Sequence, residues 1–160
     1  MKKTVIIIAI VFIIASCSAK DISKAEKAAN NAFKSNIELT WCGKKYTGEI
    51  KRNSSESIEI SVIGEELSSP ILYSMENGGL TTKTENLELT VPYRDAMPDS
   101  LIVTIYESFL LLPNAEIAYK KEMIYFTLPK AVIVYDNETD SLSKIQMKDG
   151  ELKFIEFEYL

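Results

Sequence analysis

From residue 21 onward the apolar positions follow first a helical and then an alternating period. Ala25, Ala28, Ala29, Ala32 and Phe33 recur at helical spacing, and Ser23-Lys24-Ala25-Glu26 has the form of a capping box. With Asn36 as a stop, the pattern predicts a helix over 21–36. Beyond it the period becomes 2. Ile37, Leu39 and Trp41 alternate with Glu38, Thr40 and Cys42, Gly43-Lys44-Lys45 offers a turn, and Tyr46 to Arg52 reads as a returning strand. After the turn at Asn53-Ser54-Ser55, Ser57 to Ile63 alternates apolar against polar, as a half-buried antiparallel strand does. Ser68-Ser69-Pro70 interrupts the alternation, Glu76-Asn77-Gly78-Gly79 makes a turn, and Leu80 to Thr84 with Leu87 to Val91 completes a second hairpin.

Residues 92–113 differ. Pro92 and Pro98 bracket a polar connection, and Asp99 or Ser100 can cap a helix that ends at Pro113. Leu101, Ile105, Phe109 and Leu112 share one stripe of it, with Ile102, Tyr106 and Leu110 beside them. The competing assignment is a strand from Leu101 to Tyr106, which is rich enough in β-branched residues to form one. Strands then follow at Ile117–Tyr119, Met123–Leu128, Ala131–Tyr135, Leu142–Met147 and Leu152–Leu160, with turns at Asp136–Ser141 and Asp149-Gly150. The expected fold is α+β: a curved antiparallel sheet or half-barrel of about eight to ten strands, with an N-terminal and a central helix. It forms one domain over 21–160.

The start of the chain is of another kind. Met1-Lys2-Lys3 precedes an apolar run from Val5 to Ala15, within the length of a secretory signal and short of the ~20 residues that span a bilayer. Ile14-Ala15-Ser16-Cys17 resembles the bacterial lipobox. The resemblance implies a signal peptide at 1–16, lipid on the sulfur of Cys17, a tether at 17–20, and an extracytoplasmic domain held at the bacterial cell membrane. Cleavage would remove two lysines and no acid, leaving 16 basic and 23 acidic residues, a net −7. Such a surface stands off anionic headgroups. With Cys17 lipidated, Cys42 has no intrachain partner, and it is expected as a small core residue beside Trp41.

Composition narrows the chemistry. The chain has no histidine, which removes the usual general base and the commonest metal ligand. Its acidic balance speaks against a nucleic-acid partner. Asp136 to Asp140 is not a calcium loop, because Ser141 stands at the sixth position and Met147 at the twelfth. Asn77-Gly78-Gly79 lacks the lysine and hydroxyl residue of a phosphate loop. No catalytic set, metal site or cofactor motif stands out, so the expectation is a monomeric binding protein rather than an enzyme.

The order of elements resembles the lipoprotein-carrier family (LolA/LolB-like). The likeness is carried by Tyr46-Thr47-Gly48-Glu49-Ile50-Lys51-Arg52, Ser68-Ser69-Pro70 and Leu128-Pro129-Lys130, and at the end by Lys148-Asp149-Gly150-Glu151-Leu152 with Phe154-Ile155-Glu156-Phe157. It implies a half-open barrel whose concave apolar face, closed by helices, holds acyl chains. The chain departs from the soluble carrier in having its own anchor sequence and no Arg-Pro-Gly-type strand end after Arg52. Alternation puts Leu39 and Trp41 on one face of their strand, Ile58, Ile60 and Val62 on one face of theirs, and Leu87, Leu89 and Val91 likewise. Two short helices cannot cover that whole face, so these residues are the candidates for contact with a lipid or acylated ligand. The alternative is an envelope interaction module whose sheet is filled by its own side chains.

Overall fold

A computed structural model describes residues 23–160; the expected signal peptide, the expected tether and Cys17 lie outside the described residues. Helix α1 occupies 23–30. The strands are β1 Phe33–Trp41, β2 Lys44–Ser54, β3 Ser57–Gly64, β4 Ile71–Glu76, β5 Gly79–Lys83, β6 Glu88–Pro92, β7 Glu116–Lys120, β8 Met123–Thr127, β9 Ala131–Asp136, β10 Ser141–Met147 and β11 Gly150–Tyr159. Between β6 and β7 lies helix α2, Leu101–Leu111, flanked by short 3-10 turns at Tyr93–Asp95 and Leu112–Asn114.

All eleven strands form one open, curved antiparallel sheet in the order β6-β5-β4-β3-β2-β1-β11-β10-β9-β8-β7. Each half is a meander of sequential hairpins. The two halves join where β1 pairs with β11, among the longest strands in the sheet. The fold is therefore α+β as the pattern predicts, with eleven strands instead of eight to ten. On a flat sheet β4 and β9 would lie six strand spacings apart, about 29 Å at ~4.8 Å each. Helix α2, only ~16 Å long, packs on both of them. Curling of the sheet is what brings the two strands under one helix.

Residues 33–36 correct the helix expected over 21–36. Phe33, Ser35, Ile37 and Leu39 are buried on one face of β1 while Lys34, Asn36, Glu38 and Thr40 are exposed. The helix that carries Ala25, Ala28 and Ala29 inward ends at residue 30, and the chain enters the sheet at once. Hydrogen-bonding neighbours on both sides, β2 and β11, outweigh the helical spacing of Ala32 and Phe33. The 101–106 ambiguity resolves as helix: the amide of Thr104 donates to the Ser100 carbonyl at 2.9 Å, and Ile105, Phe109 and Leu112 turn into the core.

Two turns also shift. The β1–β2 hairpin turns at Cys42-Gly43, both with positive φ (49° and 78°), as the twist-matched two-residue turn requires. That puts the Cys42 side chain at the hairpin tip, where it is exposed, not in the core beside Trp41. The β10–β11 hairpin turns at Lys148-Asp149, and Gly150 is already paired with both Met147 and Trp41. A Cβ at Gly150 would stand 2.0 Å from the Thr40 carbonyl oxygen, so glycine there serves close strand approach and not the turn.

Candidate functional site

The two ends of the concave face are closed differently. At one end α1 lies over the sheet, its Ala25, Ala28 and Ala29 fully buried. Phe33 meets Phe109 at 5.4 Å, Phe154 at 6.1 Å and Phe157 at 5.1 Å between ring centres. Arg52 is buried to 1% exposure among them; its Nη1 donates to the Ala28 carbonyl at 3.2 Å, and its guanidinium lies 5.1 Å from the Phe109 ring centre. Burial pulls its pKa down to about 10. Lys24 and Lys27 of α1 pair with Asp140, which also accepts from the Tyr135 hydroxyl at 2.7 Å. These partners hold the Asp140 carboxyl below its usual range, the hydrogen bond from Lys27 most of all. This end is full.

At the other end the same strands leave a hollow of about 400 Å³. Its sheet wall follows from register. Leu39 on β1 faces Tyr46 on β2, Val62 on β3 faces Ile71 on β4, and Tyr73 on β4 pairs with Ile60. Leu39, Trp41, Tyr46, Val62, Ile71 and Tyr73 all line the space. Their neighbours on the same face are glycines: Gly150 stands opposite Trp41, Gly64 opposite Tyr46, and Gly48 opposite Val62. A Cβ at Gly64 would come within 2.7 Å of the Tyr46 ring. A Cβ at Gly48 would stand 1.9 Å from the Ser61 carbonyl oxygen, so these glycines serve close packing of strand and ring, and the hollow is walled by the six apolar side chains themselves.

The opposite wall is the start of α2, through Ser100, Leu101 and Ile102, with Leu67 of the β3–β4 connection and the hairpin tips carrying Cys42 and Asp149. The Cys42 amide donates to the Asp149 carbonyl at 2.8 Å and holds the two tips together. Ser100 is the N-cap of α2, yet its side chain makes no capping bond; its Oγ is buried and has no hydrogen-bond partner among the described residues. Asp99 and Asp149 stand at the rim. Burial raises the Tyr73 hydroxyl pKa, with Tyr46 adding to the effect. On the far side of Trp41 lies a smaller recess of about 230 Å³, also bordered by Asp99 and Asp149, with Lys130 and Lys148.

A polar clasp fixes α2 in place. Lys130 Nζ donates to the Pro98 carbonyl at 2.8 Å and to Glu107 Oε2 at 3.0 Å, and the Tyr93 hydroxyl donates to Glu107 Oε1 at 2.7 Å. Tyr93 is pushed up to about 12, by burial first and then by that bond to Glu107.

The structure gathers three of the eight sequence-derived ligand contacts, Leu39, Trp41 and Val62, around the hollow. Leu39 and Val62 reach it from the buried core, 2% and 3% exposed, whereas Ile58 and Ile60 are buried in the core without lining it. Leu87 and Leu89, just before and within edge strand β6, are 65% and 58% exposed, and Val91 packs half-buried against the core. Tyr46 was legible as a strand residue but not as a site residue, and Ile71 and Tyr73 lie on β4, which alternation does not reveal. Among the described residues no three acidic or cysteine side chains cluster as metal ligands would, and no helix is long and apolar enough to cross a membrane.

No protein-family profile matches the chain, and no curated protein matches it. The fold is similar to the crystal structure of an uncharacterized conserved protein from Thermus thermophilus, with a TM-score of 0.56, 9% identity, and coverage of 89% of this chain and 88% of that one. At that identity the likeness concerns the fold alone.

Proposed function

We propose that the protein is a bacterial lipoprotein, anchored outside the cytoplasm by lipid on Cys17, that holds an apolar or amphipathic ligand in the hollow end of a half-barrel. The carrying observation is the hollow of about 400 Å³ under the first turn of α2, walled by Leu39, Trp41 and Val62. Its volume lies within the ~300–1,000 Å³ of ordinary small-ligand sites. An acyl chain that lost ~200 Å² of apolar surface there would gain about 5 kcal/mol before association costs. The resemblance to the lipoprotein carriers supports an acyl chain as the guest, and the lipobox supports the membrane as the anchor's partner. On this reading the protein binds and does not catalyse, and it needs no cofactor.

The test is organic extraction of the purified protein followed by mass spectrometry, which separates a held lipid from the covalent anchor. A near-stoichiometric acyl compound, lost in Val62→Phe, is the expected result. Protein that is empty on purification and takes up no acyl probe afterwards contradicts the reading.

A second reading rests on a separate observation. Edge strand β6 has neighbouring strand β5 on one side only, and exposed Leu87 and Leu89 lie along it. Such an edge suits strand pairing with another envelope protein.

A further inference from the structure

We infer that the hollow at Trp41 selects a cationic amphiphile, with an ammonium head at the rim and its chain on Leu39 and Val62. The inference rests on the reading of the hollow as a ligand site and names the chemistry of its guest. Two carboxylates, Asp99 and Asp149, border the hollow, and no lysine or arginine lines it. The same two acids and Trp41 also border the neighbouring recess, so both carboxylates lie near the indole. An indole face with acidic neighbours attracts an ammonium group through both the ring quadrupole and the charges.

Two opposing charges have to be weighed. The start of α2 lines the hollow, but a helix terminus counts for only about half a positive charge. Lys130 and Lys148 border the smaller recess, not the hollow itself. Lys130 lies 3.8 Å from Asp99, but its closer partners are Glu107 and the Pro98 carbonyl. Among the side chains that line the hollow itself, the only charged ones are Asp99 and Asp149. Tyr46 and Tyr73 add aromatic faces to the wall.

Trp41 is the sole tryptophan, so its emission reports the site directly. The full chain carrying Cys17→Ser is titrated with octylammonium, octanoate and octanol, each below its micelle concentration. Octylammonium is expected to bind about tenfold more tightly than octanoate, in line with a partly desolvated cation–π contact and neighbouring charge. Asp99→Asn combined with Asp149→Asn should bring the two within about twofold, with octanol affinity unchanged. Octanoate binding as tightly as octylammonium, or more tightly, overturns the head-group inference while leaving the hollow as an acyl site. A preference for octylammonium that survives the double substitution overturns the role of the two acids. If none of the three probes binds, the site reading and the head-group inference fall together.

Discussion

The filled and hollow ends of the concave face grow from the same central strands, β1 and β2, with the same alternation of buried and exposed positions. They differ in what stands at the inward positions and in what covers them. At the filled end β1 begins with Phe33, its neighbours are Phe154 and Phe157, and α1 caps the cluster with alanines small enough to let the helix lie close. At the hollow end β1 finishes at half-buried Trp41, and the cover is the first turn of α2 with Leu67 of the β3–β4 connection and the two hairpin tips. The lesson is that cover decides the outcome: where α1 and three phenylalanine rings converge, inward positions make core, and where only the start of α2 and Leu67 arrive, Trp41 and Tyr73 stay half-buried beside open space.

The largest effect that separates the two ends is on stability. Phe33 is fully buried among three other rings, so Phe33→Ala should cost about 3–5 kcal/mol in denaturant unfolding. Half-buried Trp41, walled by open space, should cost less than about 2 kcal/mol when replaced by alanine. Equal costs would erase the distinction. Arg52 sharpens it: Arg52→Ala leaves a void against Phe109 and an orphaned Ala28 carbonyl and should cost about 2–4 kcal/mol. Arg52→Met refills the space without a desolvated charge and should cost clearly less.

A smaller effect comes from the clasp at the hollow end. Tyr93 is held neutral to about 12 in the folded protein, whereas an unfolded tyrosine ionises near ~10. The folded state therefore binds the extra proton between those values. The stabilisation is complete below pH ~10 and is lost as pH rises toward 12. Thermal melts from about pH 9 to 11.5 should show a shallower alkaline loss in Tyr93→Phe than in the parent; parallel curves would mean that the clasp does not couple to folding. The smallest effect is chemical. Cys42 at the hairpin tip should react with a maleimide at the rate of a free peptide thiol in the folded state, with little change in melting temperature. Slow modification that speeds up on unfolding would place the thiol inside.

Much of this fold can be read from residue order because most strands carry a clean phase. Ile58, Ile60 and Val62 against Glu59, Ser61 and Ile63 identify β3 with its buried face, and the stripe Ile105, Phe109, Leu112 identifies the inner side of α2. Strand β4 was illegible because Ile71 to Ser74 are all half-buried, two-sided positions with no alternation to detect. The end of α1 was misplaced because Ala32 and Phe33 fit both periods, and only the partners of β1 decide between them. Leu87 and Leu89 have the parity of Val91, but the parity of an edge strand says nothing about whether anything covers it. The hollow itself gathers side chains from β1, β2, β3, β4 and the start of α2, a meeting across register that is absent from any local pattern.

The central claim is that the space at Trp41 is a binding cavity and not slack in a self-filled core. The most direct measurement is a titration of Trp41 emission with a fatty-acyl probe in the parent chain and in Val62→Phe, alongside unfolding curves for both. Val62 is a buried core residue that lines the hollow, so a phenylalanine there would extend into it. The account predicts saturable binding in the parent, binding weakened at least about tenfold in Val62→Phe, and stability changed by less than about 1 kcal/mol. A variant destabilised by several kcal/mol, with a parent that never binds, would show a packed core at this end and contradict the claim.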